Sequence, residues 1–181
     1  MESVDKMSEK EIIFNPVDHI TTDAIGAPGK RVFYLQAWKG ERTLTLLIEK
    51  FQIQSMAAGV EQFLNELAER YPDLPDASAD YNENTMHIHP PVDPLFRVGD
   101  LGLSYDMDND MVSLIIREML SSNKQPEEAA SARLYCTRAQ IKALVSWGLV
   151  IADRGRRICP YCGEPEDPSG HICPKKNGKN G

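Results

Sequence analysis

Hydrophobic and polar positions alternate along this chain in a scheme that occurs twice: short segments with a period of two, then one longer segment with a period near 3.6. Glu11-Ile12-Ile13-Phe14 predicts a short strand, halted at Asn15-Pro16 because proline has no N–H to give a ladder. Residues 17–30, with Gly26-Ala27-Pro28-Gly29, read as a turn-rich loop. Residues 31–38 carry the aromatic and β-branched side chains that suit a pleated surface, so a strand is expected there. Lys39-Gly40-Glu41 makes a hairpin into residues 42–49, where Leu44, Leu46 and Ile48 alternate with Thr43 and Thr45 as in a half-buried antiparallel strand. From residue 50 to 70 the period changes: Ile53, Met56, Val60, Phe63, Leu64 and Leu67 form one stripe of a helix that stops at Tyr71-Pro72.

After a polar, proline-rich connection over residues 73–94, the scheme returns. Residues 95–105 predict a strand that tolerates Gly99 and Gly102, 106–110 a turn, and 111–119 the returning strand with Val112, Leu114 and Ile116 inward. Residues 132–136 predict a further short strand. Thr137-Arg138-Ala139-Gln140 has the capping-box pattern of a helix start, followed by the stripe Ile141, Leu144, Val145 and Leu149 and a stop at Gly155. Sliding one half over the other sets Gln52-Ile53 on Gln140-Ile141, Met56 on Leu144, and Leu46-Leu47 on Leu134-Tyr135, the mark of a duplicated βββα unit. The expected fold class is α+β: a mostly antiparallel sheet of about six strands with two helices, plus a C-terminal zinc ribbon. Residues 1–153 would form the α+β domain, with halves 11–71 and 95–153, and residues 154–181 the ribbon-like tail.

That tail carries the most specific chemistry in the chain. Cys159-Pro160-Tyr161-Cys162-Gly163 places two thiols on one tight turn, and His171-Ile172-Cys173 supplies a second arm. A disulfide framework would scatter its pairs, whereas three of the four cysteines lie within this short stretch beside a histidine, as a metal site requires. The expected ligand set is Cys159, Cys162, His171 and Cys173 around zinc. Four protein ligands fill a tetrahedron and leave no position for water, which makes the ion structural rather than catalytic. The fourth cysteine, Cys136, stands in an apolar context and is expected to be a buried, inert thiol.

Composition narrows the function classes. The chain has 181 residues, 41% hydrophobic and 26% charged, as in a soluble globular protein. Its longest apolar run, residues 143–152, is too short to span a bilayer. The start has no basic region followed by an apolar stretch, so a cytoplasmic location with reduced thiols is expected. A formal charge of −7 conceals an asymmetry. From Arg154 onward, Arg154, Arg156, Arg157, Lys175, Lys176 and Lys179 stand against three acids, giving +3 and leaving −10 on the rest. A basic ribbon of this kind suits either a solvated tail or a contact with nucleic acid.

Other candidates for chemistry are weaker. His87 and His89 in Met86-His87-Ile88-His89-Pro90-Pro91 would share a face if extended, with Asp93 or Asp18-His19 nearby, and could hold a metal or move a proton. No carboxylate stands at a diagnostic metal spacing from them. The acids of 106–110 resemble the opening of a calcium loop but lack its glycine and distal glutamate, which favours a solvated turn. Residues 26–31 lead into a strand rather than a helix, which favours a plain turn over a phosphate loop. No Gly-x-Ser-x-Gly elbow is present.

Several of these segments together carry a resemblance: Gly26-Ala27-Pro28-Gly29-Lys30-Arg31 before Phe33-Tyr34-Leu35-Gln36-Ala37, then Phe96-Arg97-Val98-Gly99, Cys136-Thr137-Arg138-Ala139-Gln140, and the cysteine arms ending in Gly170-His171-Ile172-Cys173-Pro174. Across nearly its whole length the chain resembles a bacterial family known only as a domain of unknown function, whose members end in this zinc-ribbon-like sequence. The resemblance implies genes beside those for a histidine-phosphatase-like and a lipid-kinase-like protein, and hence a pathway that handles phosphoryl groups. It implies no activity. The preferred expectation is an interaction module whose ribbon docks on a protein partner. The alternatives are a nucleic-acid-binding protein using the basic ribbon, or a phosphoryl-transfer or hydrolytic enzyme in which His87, His89 or His19 meets an acid in a pocket.

Overall fold

Among the described residues, seven strands and two long helices appear in the order β1 Glu11–Phe14, β2 His19–Ile25, β3 Val32–Lys39, β4 Arg42–Ile48, α1 Lys50–Arg70, β5 Val98–Asp106, β6 Met111–Glu118, β7 Ser131–Cys136 and α2 Arg138–Arg154. They come from a computed structural model that describes residues 11–27, 29–154, 159–163 and 173. The strands form two sheets, ordered β1-β7-β6-β5 and β2-β3-β4. Every named pair is antiparallel except β1 with β7. The alternation in β4 has its physical counterpart across the ladder, where Leu44, Leu46 and Ile48 sit opposite Ala37, Leu35 and Phe33. All six are buried, so one face of this hairpin is a continuous apolar surface.

The expected loop at 17–30 instead contains β2, which raises the strand count from about six to seven. Its polar letters concealed it. Thr21 and Thr22 are fully buried, yet both hydroxyls are satisfied: Thr21 Oγ1 donates to the Met86 carbonyl and Thr22 Oγ1 to the Tyr34 carbonyl at 2.7 Å. Three strand starts also move, to Val32, Val98 and Ser131. The stripe foreseen for α2 is rotated: Ile141, Leu144, Val145, Trp147, Gly148 and Ile151 are buried, while Leu149 is 47% exposed. Gly155 lies outside the described residues.

The two sheets are joined along both open edges. At one seam Leu47 N donates to Phe96 O and Leu95 N to Thr45 O, with a parallel bridge between Leu47 and Arg97. At the other, the chain passes from β1 into β2 while Val17 N donates to Tyr135 O and Asp18 N to Trp38 O. Each seam sets the segment leading into one half parallel to the last strand of the other, and a buried phenylalanine, Phe14 or Phe96, sits in each lead-in. The helix starts repeat the pattern. Gln52 Oε1 accepts from Glu49 N and Gln140 Oε1 from Thr137 N, closing a capping box in each half. The freed amide of each glutamine then crosses to the other half, Gln52 Nε2 to the carbonyls of Val98 and Gly99 and Gln140 Nε2 to that of Asp18. The βββα unit suggested by the sequence is therefore β2-β3-β4-α1 followed by β5-β6-β7-α2, with β1 added to the second sheet.

One core unites these elements. Trp147 is fully buried, and its indole Nε1 donates to the Thr22 carbonyl at 2.7 Å. Gly148 lets α2 approach both α1 and β2: a Cβ there would stand 2.9 Å from Ile53 Cγ2 and 3.3 Å from Thr22 Cγ2. Gly99 serves the same purpose where β5 shifts register against β6, since a Cβ would stand 2.9 Å from Met119 Cα. Cys136 is buried as expected; burial pushes its thiol up to about 12, and Sγ donates to Val112 O at 3.5 Å.

Candidate metal centre

The Cys-Pro-Tyr-Cys turn closes as the sequence predicts. Gly163 N donates to the Cys159 carbonyl at 2.9 Å, and Gly163 takes φ +75, a left-handed conformation that glycine adopts without strain. The Sγ atoms of Cys159, Cys162 and Cys173 all lie within 4.8 Å of one another. Sulfurs bound to one tetrahedral zinc at about 2.3 Å would be about 3.8 Å apart, so the cluster fits a single ion with little movement. Cys159 and Cys173 are buried, Cys162 is partly exposed, and none of the three is in a disulfide. Burial alone would raise the Cys159 thiol, but hydrogen bonds from the backbone of Cys162 and Tyr161 and from the Cys162 and Cys173 side chains outweigh it and hold the group down to about 7. That favours the thiolate, the form that binds metal. These three cysteines can therefore bind a metal ion. His171, the fourth expected ligand, lies outside the described residues, as do Arg156, Arg157, Lys175, Lys176 and Lys179.

The other candidates are placed differently from one another. His87 and His89 do not converge. His87 Nδ1 is 3.0 Å from Asp23 Oδ2, and its ring stands edge-on to Trp147 at 5.4 Å. His89 instead meets Trp38 edge-on at 5.0 Å, with its backbone clamped by the buried Gln36: His89 N donates to Oε1 at 2.8 Å and Nε2 donates to His89 O at 3.1 Å. His19 stacks on Trp38 at 4.6 Å. Burial lowers the His19 pKa first, a backbone hydrogen bond involving Thr85 partly offsets this, and the nearby His89 lowers it further. Among the described residues, the three cysteines are the one group of three or more potential ligands close enough to share an ion. Sequence reasoning missed Asp23, Gln36 and Trp38. The available signal was the cluster of polar side chains inside β2 and β3, which acts by pinning residues 86–89 across the sheet.

The carboxylates of Asp106 and Asp110, in the acidic turn after β5, accept hydrogen bonds from protein groups. Asp106 accepts from Asp108 N, Asn109 N and Asn109 Nδ2. Asp110, at φ 49, accepts from Arg138 Nε and Nη2 at 2.8 and 3.0 Å and from the Tyr105 hydroxyl at 2.7 Å. Its pKa is lowered chiefly by the Arg138 hydrogen bonds, while burial and then Asp110 push Tyr105 up to about 12. Within residues 26–31, of which Pro28 lies outside the described residues, Lys30 N donates to Ala27 O. Arg154, the first of the tail cations, is engaged by Glu83 at 2.5 Å and lies over the Trp147 ring.

A family model described as "Protein of unknown function (DUF3090)" matches residues 12–173, from β1 to the last cysteine of the cluster. No curated protein and no solved structure matches the chain. No described helix is long and apolar enough to cross a membrane.

Proposed function

Since the chain belongs to this DUF3090 family of unknown function, we propose from its own residues that it is a cytoplasmic interaction module braced by one structural zinc ion. Residues 154–181 form the zinc ribbon, Cys159, Cys162, His171 and Cys173 are the ligands, and the ribbon docks on a protein partner; residues 1–153 form the supporting α+β domain. The observation that carries this reading is the meeting of three thiols within 4.8 Å. With an imidazole as fourth ligand, the ion has no open position for water, so it orders the chain instead of activating a nucleophile. The test is metal analysis of purified protein beside partner capture from the native cell, with wild type and Cys159→Ser compared and Cys136→Ser as control. One zinc per chain, and partners held by wild type and the control but lost with Cys159→Ser, is the expected result. Metal-free wild type, or capture indifferent to the substitution, overturns the reading.

A further inference from the structure

We propose that the cleft beside Trp38 binds an organic cation, an ammonium or guanidinium group on a short apolar body. The cleft has a volume of about 580 Å³, within the range of small-ligand sites, and its lining includes Trp38, Glu41, His89, Pro90, Pro91 and Asp93. Its chemistry selects charge. No lysine or arginine lines it, while two carboxylates do. Pro90 and Pro91 offer carbonyls and have no N–H. Gln36 Nε2 is already committed to His89 O and Thr45 Oγ1, and Gly40 N to Asp18 Oδ2 at 2.6 Å. The wall is therefore rich in acceptors around an indole, the arrangement that attracts a cation through both the ring quadrupole and the carboxylates. Net charge outside the tail has the same sign, favouring cations and repelling phosphates.

The site is also built in advance. The Gln36 amide holds the backbone of His89 on both its N–H and its carbonyl, and Gln36 itself is fully buried. On the other strand, Asp18 anchors the hairpin tip through Gly40 N, and Lys39 Nζ donates to Pro16 O at 3.0 Å. His19, which does not line the cleft, supports the Trp38 ring from beside it. A wall fixed in this way loses little conformational entropy when a ligand enters. None of these groups belongs to the cysteine cluster, so this inference does not depend on the metal.

Calorimetric or NMR titration of the full chain with putrescine, agmatine and a short lysine- or arginine-containing peptide tests it, with 1,4-butanediol and succinate as neutral and anionic counterparts. Saturable binding of the cations, absent with the two counterparts and weakened about tenfold or more by Glu41→Gln with Asp93→Asn, supports the proposal. Trp38→Leu should weaken binding by a similar factor, and the charge variants, which touch no core residue, keep the test valid if that variant folds poorly. A peptide preferred over the free amines assigns the cation to a partner's side chain; the reverse assigns it to a metabolite. No binding of any cation, equal binding of succinate, or indifference to the carboxylate substitutions overturns it.

Discussion

The α+β body and the cysteine cluster are held together by different physics, and the contrast shows in what each region lacks. Around the body, Phe14, Leu46, Ile53, Leu114, Ile141 and Trp147 are among the side chains sealed from water, and burial of that kind stabilises by about 25 cal/mol per Å² of apolar surface. Around the cluster the described side chains are three cysteines, a proline and a tyrosine that is 58% exposed, too little to hold a turn by hydrophobic burial. The body is ordered around this buried apolar core, whereas the described part of the cluster is distinguished by three thiols that converge without a disulfide and can bind one ion.

The strongest way to separate the two regions is to take one of the three thiols from the cluster. Cys159→Ser should abolish stoichiometric metal, because structural zinc sites of this type contribute on the order of 10 kcal/mol to their own segment. The cooperative unfolding of the body, followed by the fluorescence of Trp38 and Trp147 in denaturant, should stay close to wild type; loss of that transition would show that the cysteine cluster also holds the body. The reverse experiment is Trp147→Ala, which opens a cavity and removes the indole hydrogen bond to the Thr22 carbonyl. It should cost about 3–5 kcal/mol in denaturant unfolding while leaving the metal content intact.

Smaller changes sharpen the same contrast within the body. Gln36→Leu keeps the volume but removes the clamp on His89, leaving a partly buried peptide group without its partner. A loss of about 1–3 kcal/mol is expected, with amide exchange rising at residues 86–89 before the rest of the sheet; uniform exchange would show that the clamp is not local. The least effect is expected for Asp110→Asn. Arg138 lowers the folded-state pKa of Asp110 below the usual 3.8, so the carboxylate stabilises the fold above that value and the gain is lost as pH falls through the folded pKa. The Asp110 side chain is 46% exposed and screened, which limits the effect to roughly 0.5 kcal/mol. Stability curves for wild type and variant should converge in acid, and a constant offset across pH would exclude the linkage.

The elements with strong periodicity were legible from residues alone. Residues 50–70 were assigned from one stripe, and the helix occupies Lys50–Arg70. The capping box at Thr137 and Gln140 forms as written, with Thr137 N to Gln140 Oε1 at 2.9 Å and Gln140 N to Thr137 Oγ1 at 3.0 Å. The repeat was visible as a faint match around Gln52 and Gln140, and both glutamines cap a helix and cross to the other half. What escaped was β2, because buried threonines look like loop residues until a carbonyl from elsewhere in the chain meets each hydroxyl. The true faces of α2 and of the histidine segment escaped for the same reason, since Trp147, His87 and His89 are oriented by residues far away in sequence.

The sequence by itself determined the periodic elements, the α+β class and the gathering of thiols on one short arm, because each depends on side chains only a few positions apart. The tertiary structure alone decided that the two sheets join at both seams, that His87 and His89 part toward different partners, and that Trp38 lines a cleft together with Glu41 and Asp93. Those outcomes depend on which distant backbone groups satisfy buried polar atoms, a choice made only when the halves close on each other.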